Sequence, residues 1–272
     1  MADYGCYINL ASLKAELTIT DTTDDAILLR KLEAVSRLID GECDRHFYTK
    51  TSTKYFTALS GNYVYLPDLL SVTTLKTDDD GDRTYENTWA ATDYDLLDYN
   101  EFPKYKIHIT PEGNYTFPST RKGVEIVGLW GFGDGWSAVP YEDSATNTSE
   151  VLDNSETDVD VGAGTAFAVG QLILVESEQM YITAIATNTL TVKRGVNGTT
   201  AATHVTDKDI YIYLYPQPVR EACLIQAIRL FRRKEAPFGI IGAPEIGQLA
   251  VITRLDPDVK ALLATYRRLV AV

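Results

Sequence analysis

Apolar and polar positions along the chain follow two periods, and the change from one to the other divides it. Between Val219 and Gly239 (VREACLIQAIRLFRRKEAPFG) the spacing is helical. At about 100° per residue, Val219, Cys223, Leu224, Ala227, Ile228, Leu230 and Phe231 share one half of a helix. Glu221, Gln226, Arg229, Arg232 and Arg233 take the other half. Pro218 suits the first turn, and Pro237 with Gly239 predicts the end. Upstream, Leu28, Leu32, Val35, Ile39 and Cys43 recur every three or four residues. They predict a second amphipathic helix, capped by Thr22 or Thr23, with Asp24 and Asp25 in its first turn. Asn9 predicts the cap of a short helix from Leu10 to Leu17. Asp256 and Pro257 predict the start of a last one, striped by Val259, Leu262, Leu263, Tyr266 and Leu269.

From Thr53 the period becomes two. Residues 54–57, 63–66, 72–75, 106–109 and 124–127 read as short strands, parted by turn clusters such as Ser60-Gly61-Asn62, Pro67-Asp68 and Asp78 to Asp82. Residues 141–215 differ again. YEDSATNTSEVLDNSETD reads as an acidic linker, and β-rich runs follow at 171–175, 180–186, 189–193 and 210–214. The expected fold is α+β. The N-terminal and C-terminal helices form a bundle packed with an antiparallel β-meander, in a discontinuous domain of residues 1–140 and 216–272. Residues 141–215 are an inserted all-β domain.

Composition narrows the class. Hydrophobic residues make up 45% of the chain and charged residues 23%, as in ordinary globular proteins. No apolar run is long enough to span a membrane, and the N-terminal stretch predicts no secretory leader. Three scattered cysteines do not make a disulfide framework and read as packed thiols, which suits folding in a reducing cytoplasm. The net charge is −13, unevenly spread: residues 1–140 carry −9, residues 141–215 carry −8, and residues 216–272 carry +4. An acidic body does not grip DNA phosphates, whereas DNA slides past it freely.

The chemistry on offer is thin. Asp78 to Asp82 lacks the EF-hand spacing, because Lys76 would fall at the first ligand position, and reads as a solvated hairpin tip. Gly131-Phe132-Gly133-Asp134-Gly135 is not GxGxxG and reads as a bend. His46, His108 and His204 lie in separate segments with no nucleophile signature nearby. The expectation is a chain that is not an enzyme, with no catalytic residue, cofactor or metal.

The order of several blocks carries a resemblance. Tyr7 to Lys14 (YINLASLK) is followed by Asp24-Asp25 to Leu29, Ala34 to Ile39, Cys43 and Phe47-Tyr48. Then come Val124 to Gly133 (VEIVGLWGFG), Val139-Pro140, Val219 to Phe231, Ala236 to Gly239 and Asp256 to Val259. This succession resembles the head–tail connector (adaptor, head-completion) proteins of long-tailed bacteriophages and related gene-transfer particles. It covers roughly residues 1–140 and 216–272. In that family the WGF…VP segment runs almost directly into the helix that here begins at Pro218, so residues 141–215 look like an insertion. They are similar to small β elements of phage tail and virion proteins.

The resemblance implies a structural virion protein at the head–tail interface, assembled in the host cytoplasm. Copies form a ring of about twelve beneath the portal protein, which extends the DNA ejection channel and docks a tail-side connector or terminator protein. Double-stranded DNA passes through without specific binding, and no membrane is involved. Arg229, Arg232, Arg233, Lys234, Arg267 and Arg268 are the candidate portal or subunit interface, from the basic balance of residues 216–272. The insertion is expected on the outside of the ring. The alternative is an adhesive or carbohydrate-binding virion module carried by that insertion, which exposed aromatic residues there would favour.

Overall fold

The computed structural model describes residues 4–233 and 255–268. They form two compact units: one of residues 46–141 with 197–199, the other of residues 4–45, 142–196, 200–233 and 255–268.

The first unit is a six-stranded antiparallel sheet: β1 (Lys50–Phe56), β2 (Tyr63–Thr77), β3 (Asn87–Thr88), β4 (Tyr94–Leu97), β5 (Lys104–Ile109) and β6 (Val124–Trp130). The strand order is β1-β6-β2-β5-β4, with β3 on the end of β2. Alternation along β6 is strict: Val124, Ile126, Gly128 and Trp130 are buried, and the residues between them are half-exposed. The buried side meets Val64, Leu66, Leu69, Leu75, Ile107 and Phe117 in one core. Pro67-Asp68 does not end a strand. β2 runs through it for 15 residues, its pairing slipping between Tyr65 and Leu69 and again beyond. A bulge is where a strand tolerates proline, whose missing N–H then costs no ladder bond. Gly131 is required for a different reason. Its φ is +143°, and a Cβ there would lie 2.2 Å from the carbonyl oxygen of Tyr48.

The second unit holds β7 (Tyr141–Asn147), β8 (Asp158–Asp160), β9 (Leu172–Val175), β10 (Glu178–Ala186), β11 (Thr189–Lys193) and β12 (Asp209–Tyr213). The order is β7-β12-β9-β10-β11-β8, around a core that includes Leu152, Val159, Ile173, Val175, Met180, Ile182 and Ile210. The stretch expected as a linker therefore supplies two strands. Its acidic residues are exposed or half-exposed, and just beyond it Val159 and Val161 turn inward.

Four α-helices are described, all in this unit: α1 (Leu10–Leu17), α2 (Asp25–Cys43), α3 (Gln217–Arg232) and α4 (Pro257–Leu263). Asn9 Oδ1 caps α1 by accepting from Ser12 N at 2.8 Å, and Asp256 Oδ1 caps α4 by accepting from Asp258 N at 3.0 Å. At α2 the N-cap position falls on Asp24, not on Thr22 or Thr23. Leu28, Leu32, Val35, Ile39 and Cys43 are buried as their spacing predicts. On α3 the buried face is turned from the expected one. Ala222 and Gln226 lie inside, and Gln226 Oε1 accepts from Asp256 N at 3.4 Å, while Leu224, Ile228 and Leu230 are half-exposed. The stop expected at Pro237 and Gly239 lies outside the described residues.

The α+β expectation is thus overturned. The protein is mostly β, two antiparallel six-stranded sheets with four helices among the described residues, and not a helical bundle packed with a meander. The helices group with the sheet of residues 142–213 in one compact unit. Leu10 N donates to Val169 O at 2.9 Å. The Tyr181 hydroxyl on β10 donates to Glu33 Oε1 on α2 at 3.0 Å and lies 3.2 Å from the Cys6 thiol. Periodicity shows which face of a helix is apolar but not which surface covers it. Deleting residues 145–212 is therefore expected to abolish the cooperative thermal unfolding of the helices. A helical circular-dichroism melt left unchanged by the deletion would contradict this packing.

Candidate functional site

The densest polar constellation lies in the second unit, in residues the sequence did not single out together. The hairpin between β9 and β10 turns at Glu176, whose φ is +53°, and pairs Val175 with Glu178. Glu176 and Glu178 are two residues apart and share one side. His204 is held beneath them by a two-way backbone pairing with Leu152, both bonds 2.9 Å. Its Nδ1 lies 2.7 Å from Glu176 Oε2 and its Nε2 lies 2.9 Å from Glu178 Oε2. Carboxylates only accept, so a ring with a proton on each nitrogen satisfies both contacts.

Glu178 is fully buried and fully engaged. Arg194 grips it with Nε at 2.7 Å and Nη2 at 2.8 Å, and the backbone N–H groups of Gly195 and Ala202 donate to it at 2.9 Å and 3.0 Å. Arg194 spends its remaining donors on the carbonyl oxygens of Asp153, Glu156 and Ala202. Burial pushes the Glu178 carboxyl up, but the Arg194 fork, the two N–H groups and His204 outweigh it and hold it below the ordinary 4.5. Glu176 is held down by Lys208, at 2.6 Å, and by His204. The imidazole is enclosed and both its nitrogens are occupied, so it offers no lone pair to a substrate. The cluster ties the segment carrying Arg194, Ala202 and His204 to the β9–β10 hairpin. Only tertiary pairing assembles it; the one local hint is the Glu176–Glu178 spacing.

The other histidines bond locally, His46 Nδ1 to Tyr48 O at 2.8 Å and His108 Nδ1 to Ile109 O at 2.7 Å. The thiols are buried, and burial pushes them up, Cys6 and Cys223 to about 12 and Cys43 to about 11, which keeps them protonated and unreactive. At the acidic hairpin tip, Asp78, Asp80, Asp82 and Glu86 bring carboxylate oxygens within 4.8 Å of one another. Asp78 accepts there from Gly81 N and Arg83 N, as in an ordinary turn.

The five candidate interface residues that are described fall at the two ends of α4 and at the end of α3. Arg229 Nη1 lies 3.6 Å from Asp256 Oδ2, beside the start of α4. Arg267 pairs with Glu42 of α2, and Arg268 N donates to Cys43 O at 2.9 Å, beyond the far end of α4. The length of α4 and the following turn, roughly 15 Å, separates the two groups. Arg232 and Arg233 are exposed at the end of α3, Arg268 is exposed, and Lys234 lies outside the described residues. Two of the six cations are thus matched by acids of their own chain.

A larger unclaimed surface is aromatic. Of the eleven large apolar side chains exposed among the described residues, seven lie in the first unit. They include Trp136 (87% exposed) and Tyr65 (58%). Trp136 stands on a turn in which Asp134 Oδ1 accepts from Trp136 N and Ser137 N at 2.8 and 2.9 Å. In residues 141–215, by contrast, Phe167, Tyr181 and Tyr213 are buried and Tyr211 and Tyr215 are half-buried, so that module presents no aromatic platform.

The charge cluster makes a measurable prediction. Both glutamates have folded values depressed below their unfolded one, so their stabilisation is full above about pH 4.5 and is lost as pH falls through their folded values. Glu178→Gln is expected to cost about 3–5 kcal/mol, because it strands a buried guanidinium, and to flatten this acid-side loss. Urea unfolding between pH 3 and 7, read by fluorescence, checks both.

No family model matches this chain, and no curated protein matches it. Among solved structures, it is similar to a chain of one described as the neck of an empty GTA particle computed with C6 symmetry. The identity is 14%, the TM-score 0.46, and the match covers 100% of this chain and 95% of the other. At that level of similarity neither fold nor function carries over.

Proposed function

We propose that this chain is a structural component of a tailed-phage-like particle, a head–tail connector without enzymatic activity. Copies of it form a ring, of about twelve, under the portal protein and around the path of the DNA. The reading rests on the succession of sequence blocks, and one observation carries it. Helices from the two ends of the chain pack together, while the sheet of residues 46–141, which the resemblance joins to them, groups as a unit of its own. Ser36 Oγ of α2 lies 3.7 Å from Cys223 Sγ of α3, and the residues after α4 close on the end of α2 through Arg267–Glu42 and Arg268–Cys43. The departure from the family pattern is that residues 142–196 share this body instead of riding outside it.

Two further features favour assembly. The aromatic residues exposed on the first unit are of the kind that bury in protein interfaces. The net charge of −13 suits a wall that DNA must slide along without sticking.

Mixing the purified chain with the portal protein of the same genome and imaging by negative stain tests the proposal. Added density at one end of the portal is expected. A portal that never acquires it sinks the connector reading. Arg232→Glu, Arg233→Glu and Lys234→Glu together are expected to abolish attachment. Unaltered attachment would take those residues out of the docking surface.

A further inference from the structure

We propose that copies of this chain meet head to tail through charge-matched surfaces. The tyrosine–lysine strip on the first sheet of one copy seats the acidic strap of residues 149–160 on the second sheet of the next. The inference deepens the connector reading above and rests on it.

The strip is built by register. On the outward side of β2 and β5, Tyr65 stands opposite Lys106, and Tyr63 opposite His108. Lys106 Nζ lies 4.2 Å from the centre of the Tyr63 ring and 5.4 Å from that of Tyr65. Tyr63 and Tyr65 pack edge to face, their centres 5.3 Å apart. Lys106 makes no ion pair with any described residue and is poised over a ready aromatic surface. Rigid tyrosines beside a cation provide contact area at low entropic cost.

The strap has the opposite character. Residues 149–160 (SEVLDNSETDVD) carry five acids and no Lys or Arg. None of the five makes an ion pair with any described residue, and Asp153 is held down by the N–H groups of its own turn and by the nearby Arg194 charge. Asp158 and Asp160 on edge strand β8 accept only hydroxyls, from Thr191 at 2.8 Å and Thr189 at 2.5 Å. Val151 stands 66% exposed beside them, an apolar centre with an acidic rim. Chains of net charge −13 repel one another, so a stable contact must set local cations against local carboxylates. Two unlike patches on one chain make a heterologous contact, the kind that closes into rings.

Thiol cross-linking tests this in the full chain, whose native cysteines are all buried. Asn62→Cys beside the strip and Asn154→Cys on the strap leave the contact residues intact. With a short bismaleimide, the double variant is expected to give a ladder above dimer, and each single variant none. Lys106→Glu should cut the cross-linking rate about tenfold, as should Asp158→Lys with Asp160→Lys, and the combination should restore it. No ladder with or without portal, a ladder insensitive to Lys106→Glu, or dimers from either single variant overturns the contact. Co-sedimentation with portal is scored in the same samples. Binding without a ladder removes this contact but leaves the connector reading, and a ladder without binding does the reverse.

Discussion

An apolar stripe on α2 has to be taken out of water, and what covers it organises the second unit. Leu28, Leu32, Val35, Ile39 and Cys43 are essentially inaccessible. Burying five such side chains is worth on the order of 10 kcal/mol before chain entropy is charged against it. That gain requires α3, whose Cys223 meets Ser36 of α2 across 187 positions of sequence and which brings Val219, Ala222, Ala227 and Phe231 with it. The second sheet is tied to the same helix by Tyr181, which reaches Glu33 and Cys6. Early and late helices are thereby joined to strands that the chain makes between them.

The polar interior follows a different logic. Replacing a buried ion pair with apolar residues is often neutral, but removing one partner leaves an uncompensated charge. Glu178, Arg194 and His204 therefore act as a specificity device. They fit only if the β9–β10 hairpin and the segment from Arg194 to His204 take up one arrangement. With its donors and acceptors already matched, this most enzyme-like corner of the protein is structural. Exposed tyrosines, Trp136 and the acidic residues of 149–160 are what the surface offers instead.

That distribution bears on the two functional readings. An adhesive module carried by residues 141–215 needs aromatic faces open to a ligand, and there they are turned into the core or half-covered. The exposed aromatics belong to the first sheet, where Tyr63 and Tyr65 share a face with Lys106.

Local pattern was enough to place where the four helices begin, the caps at Asn9 and Asp256, the buried stripe of α2 and the alternation of β6, because capping and amphipathic spacing act within a few residues. It ran the last helix through Tyr266, whereas α4 ends at Leu263. It could not decide that β2 continues through Pro67, since a bulge depends on the partner strand. Nor could it show that an acidic, turn-rich stretch becomes β7 and β8, because an edge strand draws its stability from the ladder it joins. Gln226 inside α3, the spent cations Arg229 and Arg267, and the meeting of His204 with Glu176 and Glu178 were equally out of reach. Each is settled by which surfaces come together across the chain, and pairing of that kind is a property of the folded state alone.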